Sequence, residues 1–172
     1  AAQGRRLRPD VVTTLFRGNV DARLGKLAAG EVDATLLAAA GLERLGRHDT
    51  GAAIALDVML PAPAQGAVGI ETLVEGPARA LVAAIDDAAT YRAVATERAF
   101  LAALRADCHS PVAALAQGEA GGGLLLRAQL LSPDGACSVE GSARGDDPVE
   151  LGARRAGEML AGAPPVIRDL FG

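Results

Sequence analysis

The sequence predicts an α/β segment followed by an α+β domain within 172 residues. Strand, helix and strand patterns alternate in residues 1–64, which is typical of a βαβ unit with parallel strands. Residues 88–172 show a long helix, three short strands and a second long helix, which favours an antiparallel sheet. Residues 65–87 connect the two parts through a predicted strand and a short helix. We therefore expect boundaries near residues 64 and 87.

The first part consists of two apolar runs around one helix. The β-branched run VVTTLF, residues 11–16, predicts a strand. Asn19 then provides a helix N-cap and Gly30 a stop signal. VDATLLAAAG, residues 32–41, is almost continuously apolar, as in a strand buried on both faces. Two or three strands and a single helix cannot cover both faces of a parallel sheet. We therefore expect this α/β part to be incomplete.

The connecting part and the second part show strong local signals. QGAVGIET, residues 65–72, predicts a strand, and GPARALVAAIDD predicts a short helix with proline near its start. TYRAVATERAFLAALRA, residues 90–106, is the clearest helix, because its apolar residues keep helical spacing. PVAALAQ, LLLRAQLLS and CSVEGSAR predict three strands, the last two joined by the turn SPDG. The helix PVELGARRAGEMLAG and the segment PPVIRDLF follow.

The composition argues against several classes of protein. The chain has no Trp, one Tyr and three Phe, and its formal charge is −4, so neither base stacking nor general nucleic-acid binding is expected. It contains no apolar run of transmembrane length, so we expect no membrane partner. Two cysteines and two histidines at scattered positions match no metal-ligand pattern and no disulfide framework. Reduced thiols and a cytoplasmic location are expected.

Basic residues are concentrated near the start of the chain. Residues 1–30 contain six basic and two acidic residues, although the whole chain is acidic. Arg17 ends the first predicted strand and Arg23 lies in the following helix, whose N-terminal N–H groups favour anions. Ligands of open α/β sheets bind at such strand ends, which favours an anion site over a merely solvated helix face.

Cys108 is the main candidate for covalent chemistry. It lies in RADCHSPVAAL, in a loop between a predicted helix and a predicted strand. Arg105 and His109 are neighbouring groups that favour the thiolate, which is the nucleophilic form. The alternative is an inert buried thiol, as most cysteines are. This alternative is stronger for Cys137, which begins a predicted strand.

Four blocks in a fixed order carry a resemblance to a known family. These are LFRGNVDARLGKLAAGEVDATLLAAAGLERLG, MLPAPAQGAVGIE, ATERAFLAAL and ADCHSPVAALA. Together they closely resemble the porphobilinogen deaminases, also called hydroxymethylbilane synthases, over nearly the whole chain. The resemblance implies a transferase of tetrapyrrole and heme biosynthesis. Such enzymes condense four porphobilinogen units into hydroxymethylbilane and release ammonia at each step.

The resemblance also implies site residues. Cys108 matches the family cysteine that carries a dipyrromethane cofactor through a thioether. The remaining matched residues are arginines that hold acetate and propionate groups and a glutamine–glycine pair near the domain crossover. They are Arg17, Arg23, Arg44, Gln65 and Gly66. The sequence departs from the family at Ala106 and Asp107, where two glycines are usual.

The family fold has two periplasmic-binding-protein-like α/β domains and a third, α+β domain that carries the cysteine. Residues 1–64 resemble the later half of the second domain, residues 65–87 the crossover to an absent first domain, and residues 88–172 the third. The catalytic aspartate of the family belongs to that first domain. We therefore assign no catalytic residue in this chain and expect the chain alone to be an inactive monomer. The alternative, a small-anion-binding module of the periplasmic-receptor type without catalysis, accounts for the arginines but not for Cys108 in its motif.

Overall fold

A computed structural model describes residues 1–171 as helices, three strands and long irregular segments. The helices are α1 (Ala2–Leu7), α2 (Val20–Ala28), α3 (Ala39–Arg44), α4 (Ala78–Ala83), α5 (Ala88–Leu104), α6 (Pro148–Gly162) and α7 (Pro165–Arg168). The strands are β1 (Val112–Gly118), β2 (Leu124–Leu131) and β3 (Ser138–Gly145).

The three strands form an antiparallel sheet in the order β1-β2-β3. Leu126 in the middle strand pairs with Ala116 on one side and Ala143 on the other. The predicted SPDG turn closes the β2–β3 hairpin, with the Gly135 N–H donating to the Ser132 carbonyl at 2.9 Å. The predicted α+β character of the C-terminal part is therefore confirmed.

Helices α5 and α6 pack on one face of this sheet and on each other. Burial alternates over the first half of β2, as expected for a strand with one face on a core, whereas its last four residues, 128–131, are all buried. The core combines residues from both helices, the sheet and α7. Its largest fully buried members are Phe100, Leu104, Leu124, Leu126, Leu130, Leu151, Met159 and Ile167.

Helix ends follow the capping signals of the sequence. The Asn19 side chain accepts a hydrogen bond from the Ala22 N–H at 2.9 Å, and the chain turns away after α2 at Gly30 with φ +75°. Asp147 caps α6 in the same way, accepting from the Glu150 N–H at 2.8 Å. The predicted bounds of α2 and α6 therefore agree with the structure.

Helix α1 and the segment before residue 61 lie beside part of the other face of the sheet. The Gln3 side chain donates to the Leu60 carbonyl at 2.8 Å and accepts from the Leu60 N–H at 3.1 Å. The Arg127 guanidinium donates to the Leu56 carbonyl at 3.0 Å. Helix α1 was not expected from the sequence, since its polar residues lack an apolar periodicity.

The two expected parallel strands and the strand expected at residues 65–72 do not form in this structure. Residues 11–16 and 65–72 contain no strand, and residues 32–41 are irregular until α3 begins. Val12 is 95% exposed and Val68 is 87% exposed. A strand forms only against a partner backbone and a packed face, and these segments have neither among residues 1–171. The βαβ unit and the periplasmic-binding-protein-like architecture are therefore not observed.

No helix in the described part of the chain is both long enough and apolar enough to cross a membrane.

Candidate functional site

Cys108 lies on a tight loop directly after α5. The helix ends with Arg105 in the left-handed region at φ 53°, which turns the chain out of the helix. The Asp107 carboxylate then accepts hydrogen bonds from the His109 N–H at 2.8 Å and from the Ser110 N–H at 3.0 Å. Cys108 lies between these residues and is exposed. The loop therefore presents a free thiol to solvent on a locally ordered turn.

The same hydrogen bonds favour the charged form of Asp107. The His109 N–H, followed by the Ser110 hydroxyl and N–H, lowers the pKa of Asp107 below its ordinary value of 3.8. The carboxylate is thus ionised at neutral pH and serves as the acceptor that organises the loop. Asp107 therefore has a structural role in this loop.

Cys137 has a different environment. It directly precedes β3, is half-buried and packs against the hydrophobic core. Its N–H donates to the Ser132 hydroxyl at 2.9 Å, and its carbonyl accepts from the Ser132 N–H at 2.9 Å. These contacts are those of a structural residue at the base of a hairpin.

The candidate arginines lie in residues 16–47, which we call the arginine module. Arg23 donates from Nε to the Gly18 carbonyl at 3.1 Å and from a terminal nitrogen to the Leu36 carbonyl at 3.3 Å. Lys26 Nζ lies 3.4 Å from the Arg17 carbonyl and 5.3 Å from the centre of the Phe16 ring. Arg23 and Lys26 thus hold the loop that carries Arg17, and Lys26 is a further cation that was not among the predicted site residues.

The C-terminal part of the arginine module is tied to α2 by an ion pair. Arg47 contacts the Asp21 carboxylate at 2.5 Å. Arg44 is the last residue of α3 and is exposed. Within residues 1–171 the guanidinium groups of Arg17 and Arg44 form no hydrogen bond or ion pair, so both are available to an anion.

Gly18 lets the chain approach the start of α2 closely. Its φ is +132°, and a Cβ at this position would lie 3.0 Å from the Ala22 Cβ. A side chain is therefore disfavoured between Arg17 and the first turn of α2.

Gln65 and Gly66 are exposed and follow an unusual turn. Ala64 has φ 58° and Gly66 has φ 85°, so two left-handed residues flank Gln65. The Ala64 N–H donates to Glu97 Oε2 at 2.5 Å, and the other oxygen of Glu97 accepts from the Ala116 N–H at 2.7 Å. Glu97 was missed by the sequence reasoning, although a glutamate on the apolar stripe of a predicted helix is a recognisable signal.

The structure does not join all predicted site residues into one pocket. Among residues 1–171, no hydrogen bond or ion pair connects the arginine module to the Cys108 loop or to Gln65 and Gly66. The described residues also contain no group of three or more His, Cys, Asp or Glu placed to hold a metal ion.

Two family models match the chain over most of its length. Residues 1–79 match "Porphobilinogen deaminase, dipyromethane cofactor binding domain", and residues 91–161 match "Porphobilinogen deaminase, C-terminal domain". The chain belongs to the porphobilinogen deaminase family. The resemblance carried by the four sequence blocks is thereby confirmed.

Individual relatives agree with the family models. A porphobilinogen deaminase of Sphingopyxis alaskensis is 58% identical over 172 residues, covering 99% of this chain and 54% of the relative. One from Rubrobacter xylanophilus is 45% identical over 89% of this chain and 50% of the relative. One from Roseiflexus sp. is 46% identical over 93% of this chain and 54% of the relative. The chain thus spans about half the length of the porphobilinogen deaminases that it matches.

The predicted site residues divide between the two family models. The arginine module, Gln65 and Gly66 lie in the part that matches the cofactor-binding domain. Cys108 lies in the part that matches the C-terminal domain. A group with several carboxylates and one covalent bond to sulfur fits this donor set, because exposed guanidinium groups bind carboxylates and the exposed thiol is accessible to alkylation.

Proposed function

We propose that this chain is the C-terminal portion of a cytoplasmic porphobilinogen deaminase that builds hydroxymethylbilane from porphobilinogen on a dipyrromethane attached to Cys108. The observation that carries the proposal is the exposed Cys108 thiol on a loop ordered by Asp107, directly after α5. The half-buried Cys137 offers no comparable access. The family assignment supports the transferase over an anion-binding module without catalysis.

Cys108 contributes a covalent tether. The thiolate is the reactive form, and in attachment its sulfur gains a bond to carbon while a carbon–nitrogen bond breaks. The thiol proton leaves with the ammonia that is released. When bound, dipyrromethane supplies the free end on which the chain is extended.

The arginine module contributes binding and orientation. Each pyrrole unit brings two carboxylates, and planar guanidinium groups pair with carboxylates through two parallel hydrogen bonds. Arg17 and Arg44 supply exposed guanidinium groups, while Arg23 also holds the loop through the Gly18 and Leu36 carbonyls. We assign the binding of cofactor and substrate carboxylates to these three arginines, with Gln65 and Gly66 as neighbouring contacts.

We further propose the domain division at residues 64 and 87 and a monomeric enzyme that binds neither nucleic acid nor membrane. Proton transfer to and from the pyrrole units requires a positioned acid–base group, and we assign none within this chain. The chain by itself is therefore proposed to be inactive.

The test separates the two cysteines in a full-length protein that contains this chain. Cys108→Ser is expected to lose both the pyrrole adduct and activity, because a serine hydroxyl is far less ionised than a thiol near neutral pH. Cys137→Ser is the matched control and is expected to keep both. Peptide mapping by mass spectrometry and an assay of porphobilinogen consumption report the two results. An adduct on Cys137, or an active Cys108→Ser enzyme, would refute the proposal.

A further inference from the structure

Glu97 is a buried carboxylate that the proposed chemistry does not use. It lies in the middle of α5 and is 5% exposed. Burial raises its pKa, while hydrogen bonds from the Ala116 and Ala64 N–H groups act in the opposite direction. A buried carboxylate is retained only where it has partners, so its two bonds indicate what it holds.

Its first bond occupies the open edge of the sheet. β1 is an edge strand, and its N–H groups at Ala114 and Ala116 point to the same side. Ala114 donates to the Pro61 carbonyl at 3.2 Å, and Ala116 donates to Glu97 Oε1 at 2.7 Å. The segment that starts at Pro61 therefore begins to pair with this edge, and the carboxylate takes the place of the next carbonyl.

Its second bond fixes the end of that segment. Glu97 Oε2 accepts from the Ala64 N–H at 2.5 Å, across 33 positions of sequence. Ala64 has φ 58°, a conformation that a residue with a Cβ rarely adopts without support. The hydrogen bond therefore holds the backbone in the turn that leads directly into Gln65 and Gly66.

One helix thus connects two parts of the candidate site. Glu97 and the end of α5 at Leu104 are seven residues apart, which is a rise of about 10 Å along the helix axis. The Cys108 loop starts at this end, where Asp107 orders it. A rigid helix between the two attachment points keeps their separation constant.

We propose that Glu97 is a positioning residue that fixes the Gln65–Gly66 turn relative to the Cys108 loop through α5. The inference rests on the proposed function, because it matters for catalysis only if both parts contact the growing pyrrole chain. The contact itself, from the Glu97 carboxylate to the Ala64 and Ala116 N–H groups, does not depend on that function.

The first test measures amide hydrogen exchange in this chain. The Ala64 amide is expected to be protected in the unmodified protein, and an unprotected Ala64 amide would overturn the proposal without any variant. Glu97→Gln turns one acceptor into a donor, and Glu97→Asp keeps the charge but is one methylene too short to span both partners. Both variants are expected to raise amide exchange at residues 64–66 at least about tenfold, since loss of one hydrogen bond to a charged group has this effect or more.

A matched control distinguishes positioning from general loss of stability. Met159→Ala removes a buried α6 side chain of the same core and keeps the Glu97 carboxylate and its two N–H partners. It is expected to lower the stability of the domain while leaving the protection of the Ala64 amide, relative to the β1 amides, unchanged. Equal relative loss of protection in Met159→Ala and Glu97→Gln would overturn the positioning role.

The second test uses a full-length protein that contains this chain. Glu97→Gln is expected to retain the adduct on Cys108 but to elongate it at least about tenfold more slowly, with Glu97→Asp failing to restore the rate. Raised exchange together with an unchanged elongation rate would refute the role in positioning. Absence of any adduct in the unmodified enzyme would instead refute the proposed function. The hydrogen-exchange experiment would still test the contact between Glu97 and the Ala64 N–H.

Discussion

The packing of α5 against α6 makes a quantitative prediction at Gly152. A Cβ added at this position would lie 2.7 Å from the Phe100 nitrogen and 2.8 Å from the Ala99 Cβ, and closer still to the Thr96 carbonyl oxygen. Two of these atoms belong to the backbone of α5, which cannot turn aside as a flexible side chain does. Gly152→Ala therefore requires the two helices to separate.

The expected cost follows from two opposing effects. Overpacking of a well-packed core costs about 1–3 kcal/mol, and three atoms within 3.0 Å place this site at the upper end. Replacing glycine by alanine within a helix contributes about 1 kcal/mol in the favourable direction. The net expectation for Gly152→Ala is a loss of about 2 kcal/mol in the free energy of unfolding.

Gly157 is the matched control on the same helix. It is exposed, and a Cβ there meets no atom within 4 Å, so only the helix propensity remains. Gly157→Ala is expected to stabilise the protein by about 1 kcal/mol. The free energy of unfolding is measured by urea unfolding. Circular dichroism is the suitable probe, because the chain has no Trp whose fluorescence could report unfolding. If Gly152→Ala were as stable as Gly157→Ala, the close approach of α5 and α6 at this glycine would be refuted.

Two further predictions concern the candidate site. In a full-length protein, Arg17→Leu or Arg23→Leu is expected to weaken substrate binding about 10- to 100-fold, the effect of losing one charge-assisted hydrogen bond of about 1.5–3 kcal/mol. The loss of binding is measured as an increase in KM for porphobilinogen. Arg23→Leu should also raise amide exchange near Gly18 and Leu36. Unchanged KM values in both variants would contradict the anion site. The lowered pKa of Asp107 means that its support of the Cys108 loop is complete above pH 3.8 and is lost as the pH falls through the lower, folded-state pKa. NMR titration of the His109 and Ser110 amide shifts should show this transition below pH 3.8 and none in Asp107→Asn; a midpoint at or above 3.8 would contradict the hydrogen-bonded turn.

The predicted elements that formed are those whose signals lie within a few residues. Asp147 caps α6 by bonding a residue only three positions away, and Pro148 follows as the first helical residue. The SPDG turn likewise sets the β2–β3 hairpin from four consecutive residues. Such interactions are encoded where they act, so the sequence alone determined these helices and the hairpin.

The candidate site was predictable to a different degree. The motif around Cys108 and the order of the four sequence blocks identified the family and the residues proposed to bind the cofactor. The structure added that Cys108 is exposed while Cys137 is half-buried. It also showed that Asp107 orders the loop through the His109 and Ser110 N–H groups.

The sequence by itself determined the antiparallel α+β part and the family, whereas the tertiary structure decided pairing and distant contacts. The β-branched run at residues 11–16 has the composition of a strand, but a strand requires a partner strand, and none pairs with it among residues 1–171. Glu97 was recognisable only as a misplaced charge in an apolar stripe. Its partners are 33 and 19 positions away, at Ala64 and Ala116, and only the folded chain brings such N–H groups to one carboxylate.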